Sequence, residues 1–227
     1  MGDKLEKDLI IFGNGGLASL VRVYCETEGI RVAGFVIDSG YRNAEHFDGL
    51  PNIDFQCAPD EFPPSNYQLF IAIGATDMLG FSRKEKMQIG RSMGYELFSF
   101  NFAQPNRSPN ITIGKNTLIM PGSSVDPFVV FGAGIIAWNG STICHHSTIG
   151  DYSFIAPGAT ICGKVIIQEH CFIGSNATIR DNIFLAAQTL VGAGAVITKS
   201  TEPGGVYMPA RTVQISRQSD QIQFNQQ

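Results

Sequence analysis

The sequence predicts an α/β domain with a nucleotide-binding βαβ unit over residues 1–104, followed by a parallel β-helix over residues 105–227. Two observations carry the second half and one carries the first. From Ile113 to Ile197 an apolar residue recurs every six positions, fifteen times without an insertion, and ten of the fifteen are isoleucine. Four residues after each, the side chain is mostly small or β-branched, as at Thr117, Ser123, Ser141, Ser147, Ser153, Ala159 and Ala177. Near the N-terminus, an apolar run ends in a glycine-rich turn and is followed by helix, strand and acid.

A period of six suits neither an amphipathic helix nor a simple alternating strand. It is an internal repeat, and each repeat must bury its apolar face against its neighbours. One large and one small inward residue per hexad describe a short strand and a turn around a narrow prism. Three hexads close a coil of eighteen residues, so fifteen hexads make five coils. Stacked coils lie about 4.8 Å apart and bond as parallel sheet. Glycine follows the aliphatic residue at 114, 132, 150, 174 and 192, which is read here as the demand of a tight corner. The frame ends at Pro203, after which Gly204-Gly205 releases a last short strand. The Gln-rich tail from Gln214 is read as a loose surface segment.

In the first half, Leu9–Phe12 reads as a strand ending in Gly13-Asn14-Gly15-Gly16. A helix with Leu20, Val21, Val23 and Tyr24 stops near Gly29, and a second strand from Arg31 to Ile37 ends at Asp38. Such glycines let backbone N–H groups approach a phosphate at the helix N-terminus, and an acid about twenty residues on can hold a ribose hydroxyl. The turn lacks the third glycine of the full fingerprint, Ala18 standing near its place. Residues 45–66 read as connection, Leu69–Ile73 as a strand, and Phe81–Met93 as a helix with Arg83, Lys84 and Lys86 on its solvated side. A strand from Glu96 to Phe100 and a linker from Asn101 to Pro109 complete the domain.

A net charge of −4 argues against nucleic acid as the main partner. No apolar run reaches membrane-spanning length and the first eight residues are charged, so neither membrane insertion nor a signal peptide is expected. The five cysteines (25, 57, 144, 162 and 171) lack metal spacing, so no metal is expected, and a reduced, cytoplasmic protein is the simpler reading.

Together the halves resemble the hexapeptide-repeat sugar O- and N-acetyltransferases of the sialic-acid and bacillosamine type. The resemblance covers essentially the whole chain. Its most specific part is Ile143-Cys-His-His-Ser-Thr-Ile-Gly-Asp-Tyr152, followed by Ala156-Pro-Gly-Ala159 and Ile161-Cys-Gly163. It implies a Rossmann-like N-terminal domain and a left-handed β-helix, a handedness that comes from the family alone. It also implies acetyl-CoA as acyl donor, a homotrimer with active sites between subunits, and a nucleotide-activated amino sugar held by Gly13, Asn14, Gly15, Gly16 and Asp38. Counting back five residues from Gly150 puts the family's general base at His145. Four features depart from the pattern. His146 stands where an acid often follows the base, and Phe154 where some members carry a second histidine near the thioester. Asn139 matches an upstream asparagine with a one-residue shift, and Leu17 replaces a common histidine. Family match also assigns cofactor contacts to Phe154, Gly163, Ser175 and Ala193, with Lys199 and Arg211 for the phosphates.

Histidine suits removal of a proton from an amine or hydroxyl attacking a thioester. No nucleophile–base–acid set is visible, so direct transfer is expected rather than an acyl-enzyme. Adjacent residues of extended chain point opposite ways, so His145 and His146 are not expected to face one groove together; His146 either orients its neighbour or does nothing. Stacking by eighteen sets Gly163 below His145, and Asn139, Pro157, Ser175 and Ala193 in one neighbouring column, small enough for a pantetheine arm. The expected activity is N-acetylation of a nucleotide-linked amino sugar, of 4-amino-4,6-dideoxy type. O-acetylation of a free sugar such as sialic acid, and a non-catalytic nucleotide-binding β-helix that assembles with partners, stay open.

Overall fold

The computed structural model describes residues 7–74, 78–103, 110–212, 214 and 216. Most of the expected linker (104–109) and of the Gln-rich tail lies outside them.

The N-terminal unit is a six-stranded sheet. Its strands are β1 (Asp8–Phe12), β2 (Val32–Ile37), β3 (His46–Phe47), β4 (Leu50–Asp54), β5 (Tyr67–Ile71) and β6 (Glu96–Leu97), in the order β3-β4-β2-β1-β5-β6. All neighbours run parallel except the β3–β4 hairpin. The helices are α1 (Gly16–Thr27), the short α2 (Ala58–Glu61) and α3 (Phe81–Ser92). Near-continuous apolar runs such as Leu9-Ile10-Ile11 are fully buried, as strands covered on both faces require.

Two expectations about this unit need correction. Residues 45–66 are not mainly connection, because β4 pairs with β2 through Phe35–Asn52, Val36–Ile53 and Ile37–Asp54. Pro51 falls just before that ladder, where its missing N–H removes no bond, and buried Asn52 is tied by its amides to the carbonyls of Glu45 and Ala44. Nor is Glu96–Phe100 one strand. Leu97 pairs with Leu69 in the N-terminal sheet, whereas Phe100–Asn101 pairs with Leu118–Ile119 of the β-helix. One apolar stretch serves two sheets, because alternation shows which residues go inward but not which neighbour receives their hydrogen bonds.

The fifteen hexads form fifteen two-residue strands on three walls, each but those of the last coil pairing with the strand eighteen residues on, as in Ile143–Ile161–Ile179. Val206–Tyr207 adds the expected last strand against Leu190–Val191. The inward isoleucines 143, 149, 155, 161, 173 and 179 are fully buried. Buried hydroxyls close the turns: Ser147 donates to the Cys162 carbonyl at 3.0 Å and accepts from the Val165 amide at 3.2 Å.

The glycines after the aliphatic residues do not serve the corner's dihedrals. The left-handed residue is two places later, at Asn116, Phe128, His146, Tyr152, Lys164, His170, Asn176, Asn182 and Gln188, with φ between 54° and 67°. What the earlier glycine provides is room for the next coil, since a Cβ on Gly150 would lie 2.4 Å from the Gln168 carbonyl carbon. Gly150→Ala is therefore expected to cost about 1–3 kcal/mol by forcing two coils apart, read as a lowered denaturation midpoint.

The two units share one core. Leu9, Val21, Phe35 and Phe70 pack in a cluster with Phe100, Leu118, Ile136 and Phe154 of the β-helix wall. Of the three positive residues expected on a solvated face of α3, Arg83 is buried and Lys84 and Lys86 are half-buried. Arg83 is fully buried and donates to the carbonyls of Gly134 (2.6 Å), Tyr152 (2.7 Å), Ile73 (2.8 Å) and Gly74 (3.2 Å). Lys84 lies over the Tyr152 ring, and Lys86 pairs with Asp38. The physical reason is that β-helix corners present carbonyls to α3, and a guanidinium with five donors satisfies several at once.

Candidate active site

The corner between Thr142–Ile143 and Thr148–Ile149 carries His145 and His146, both exposed. The expectation that they face opposite ways is wrong, because this is a turn and not extended chain. His146 has φ 60°, which swings its ring beside its neighbour's, and the two Nδ1 atoms lie 3.1 Å apart with the rings at 84°. His146 is stacked on Phe128 one coil above, with centroids 4.8 Å apart. Asp126 Oδ2 accepts the His145 backbone N–H at 3.2 Å.

Gly163 lies directly under His145. A Cβ there would stand 2.8 Å from Cε1 and 2.9 Å from Nε2 of the imidazole. Glycine is thus required by the ring above it, and Gly163→Ala must displace that ring. Turnover is expected to fall about 10- to 100-fold with the thermal midpoint close to wild type, checked by kinetics and a melt on one preparation.

Cys144 precedes the pair. Burial, together with Asp126 and Cys162, raises its thiol above the usual range. It therefore stays protonated and is a poor nucleophile at neutral pH.

Other expected contacts stand apart from this corner. Asn139 is exposed at the adjacent corner, in the column with Pro157, Ser175 and Ala193. Lys199 is in the His145 column three coils on, about 14 Å away at strand spacing, and Arg211 follows the last strand; both are exposed. Nearby an open groove of about 590 Å³ is lined by Gly194, Val196, Ile197, Tyr207, Met208 and Pro209. Phe154, assigned to the cofactor by family match, is 8% exposed on the wall opposite this corner, stacked on Phe172 at 5.4 Å. An aromatic side chain at that outward position is drawn into the core shared with the N-terminal unit.

The glycine-rich turn is formed as expected. Gly13 has φ 125°, and a Cβ on it would meet the Ala72 carbonyl at 3.3 Å. Gly15 caps α1, and around Gly15 and Gly16 the Cβ positions are open, so backbone N–H groups at the helix start are approachable. Asn14 ties this turn to the Tyr41 carbonyl at 3.0 Å. Asp38 is less free than a ribose ligand would be, because Lys86 Nζ lies 2.7 Å from its Oδ2 and 2.9 Å from its Oδ1.

Sequence reasoning missed His170. It is 2% exposed, lies between Phe81 and Tyr152, and its Nδ1 is 2.9 Å from the Leu79 carbonyl. It holds the segment leading into α3, and nothing in its spacing signalled that. Asp126 and Phe128 could have been found by stepping back eighteen residues from Cys144 and His146. Among the described residues no group of His, Cys, Asp or Glu could hold a metal ion, and no helix is long and apolar enough to cross a membrane.

Residues 146–181 match the family model described as bacterial transferase hexapeptide (six repeats). No curated protein matches the chain by sequence. Among solved structures it is similar to the acetyltransferase domain of PglB from Neisseria gonorrhoeae FA1090, with TM-score 0.78 and 22% identity over 89% of this chain and 97% of that one. PerB from Caulobacter crescentus, solved with CoA and GDP-perosamine, superposes with TM-score 0.77 and 23% identity over 89% and 94%. WeeI from Acinetobacter baumannii AYE gives 0.73 and 23% over 88% and 95%. The chain thus carries the bacterial transferase hexapeptide repeat within a left-handed β-helix, in a fold it shares with PglB's acetyltransferase domain, PerB and WeeI.

Proposed function

We propose that this protein is an acetyl-CoA-dependent N-acetyltransferase acting on the amino group of a nucleotide-linked amino sugar of the 4-amino-4,6-dideoxy type. The observation that carries the reading is the exposed His145 imidazole seated on Gly163, a residue with no side chain of its own beneath the ring. Likeness to PerB, solved with CoA and GDP-perosamine, supports the same pair of substrate classes here.

In this reading the neutral sugar amine attacks the thioester carbonyl, a C–N bond forms, and His145 Nε2 takes the proton the nitrogen sheds. The C–S bond then breaks, and the thiolate of CoA receives that proton. The protonated Cys144 thiol leaves direct transfer as the simpler course. Gly163, Ser175 and Ala193 would border the pantetheine, Lys199 and Arg211 would meet phosphates, and Asn139 would belong to the catalytic set with His145. The turn at Gly13–Gly16 would hold the nucleotide, with the Asp38–Lys86 pair offering both an acceptor and a donor beside it.

A homotrimer belongs to this reading. The wall that begins at the histidine corner exposes Val130 (40%), Ile166 (44%) and Phe184 (42%), with Phe128 (49%) at its edge. Such an apolar wall is suited to burial against a second copy. The test is CoA release from acetyl-CoA with UDP-, dTDP- and GDP-linked amino sugars and with free sialic acid, products being weighed by mass spectrometry. One amino sugar gaining one acetyl group supports the reading. Transfer to sialic acid alone would replace it by O-acetylation, and no binding of acetyl-CoA would sink it.

A further inference from the structure

Two neutral imidazoles whose Nδ1 atoms are 3.1 Å apart must share one proton between them, so one ring donates and the other accepts. The two arrangements are not equivalent for His145. If it donates from Nδ1, its Nε2 carries a lone pair over Gly163. If it accepts, Nε2 carries a hydrogen and cannot take another proton. The surroundings hold the pair in place from three sides. Phe128 stacks on His146 at 4.8 Å, the left-handed turn at φ 60° aims the ring, and Asp126 fixes the His145 backbone through its N–H. In hydrolases built on a histidine base, a carboxylate at Nδ1 chooses the tautomer and steadies the imidazolium. Here the group at that distance is a second imidazole.

We propose that His146 is the positioning residue of the site: its Nδ1 accepts the Nδ1–H of His145 and thereby keeps Nε2 of His145 unprotonated. The inference rests on the reading of His145 as the base. When the attacking amine passes its proton to Nε2, the His145 imidazolium keeps donating from Nδ1 to His146, so no second proton transfer is needed. Phe128 is part of the device, since without the stack the His146 ring could rotate its lone pair away. The asymmetry also separates the two histidines: His145 touches the reacting atoms, and His146 acts only through it.

The first test needs no variant. Nitrogen-15 NMR of imidazole-labelled full-length protein, at a pH alkaline enough for neutral rings, reads each tautomer directly. His145 is expected to show a protonated Nδ1 and a bare Nε2; the reverse would overturn the proposal whether or not the protein acetylates sugars. The second test compares His146→Phe, which keeps a ring to stack on Phe128 but has no acceptor, with His146→Asn, whose side-chain oxygen can accept. His146→Phe is expected to lower kcat about 10- to 100-fold with KM within a factor of about two, and to lose the His145 Nδ1–H signal. His146→Asn is expected to recover most of both. Equal loss in the two variants, or full turnover in His146→Phe, would show that the second ring does not orient the first. Absence of turnover in the unmutated protein with the expected tautomer present would count against the acetyltransferase reading and leave the orientation standing.

Discussion

His145→Ala is expected to lower turnover by about 10²–10⁴-fold, the usual contribution of a positioned general base, while acetyl-CoA still binds. The argument is local. The imidazole is exposed at a corner, rests on a residue with no side chain, and has a partner at Nδ1, which leaves Nε2, over Gly163, as the second ring nitrogen for the chemistry. Removing the ring deletes the proton acceptor and leaves the coil unchanged, because no core contact depends on it. The result should therefore appear in kcat, with the thermal midpoint and CoA affinity near those of the parent. Wild-type turnover in this variant would remove His145 from the chemistry altogether.

The largest expected effect on stability is at Arg83. Its guanidinium donates to carbonyls of Gly134 and Tyr152 on the β-helix and to those of Ile73 and Gly74 at the end of the N-terminal sheet. Arg83→Ala leaves these acceptors without that donor, in a region the arginine itself fills. A buried acceptor left unsatisfied costs about 1–3 kcal/mol, so a total of about 3–5 kcal/mol is expected, with the lost packing included. Arg83→Lys should recover only part of it, since one ammonium cannot span both units in the geometry of a planar fork. Urea denaturation followed by two probes checks this: Trp138 fluorescence and far-ultraviolet circular dichroism. A shift below about 1 kcal/mol would mean that the guanidinium is not what joins the two units. The two probes are expected to report one transition in the variant as in the parent, because the core shared by Leu9, Phe70, Leu118 and Ile136 still joins the units.

The β-helix was legible because its instructions repeat within eighteen residues. Each inward isoleucine sees the residues one coil away, and those are spaced by the same number as itself, so periodicity alone sets wall, coil and register. Helix α3 was legible in extent but not in orientation. Its charges were read as solvated because a lone amphipathic pattern contains no information about carbonyls 51 and 69 residues away. The glycines at 114, 132, 150, 174 and 192 stand out in the sequence but their reason does not, since close approach between coils and left-handed dihedrals select the same residue type for different reasons.

The candidate site divides in the same way. His145, Gly163 and the Gly13–Gly16 turn follow from spacing, because a repeat of eighteen and a strand-turn-helix plan are local in the chain. The pairing of His145 with His146 does not, because it depends on one left-handed residue bringing together two rings that extended chain would separate. Phe154 in the shared core and Asp38 on Lys86 do not either. By itself the sequence determined the repeat, its register, the position of the histidine corner and the α/β plan of the first unit. Only the tertiary structure decided which charges are buried, which strand joins which sheet and which side chains meet at the corner. Those outcomes depend on desolvation and on hydrogen-bond partners far apart in the chain, neither of which any local pattern encodes.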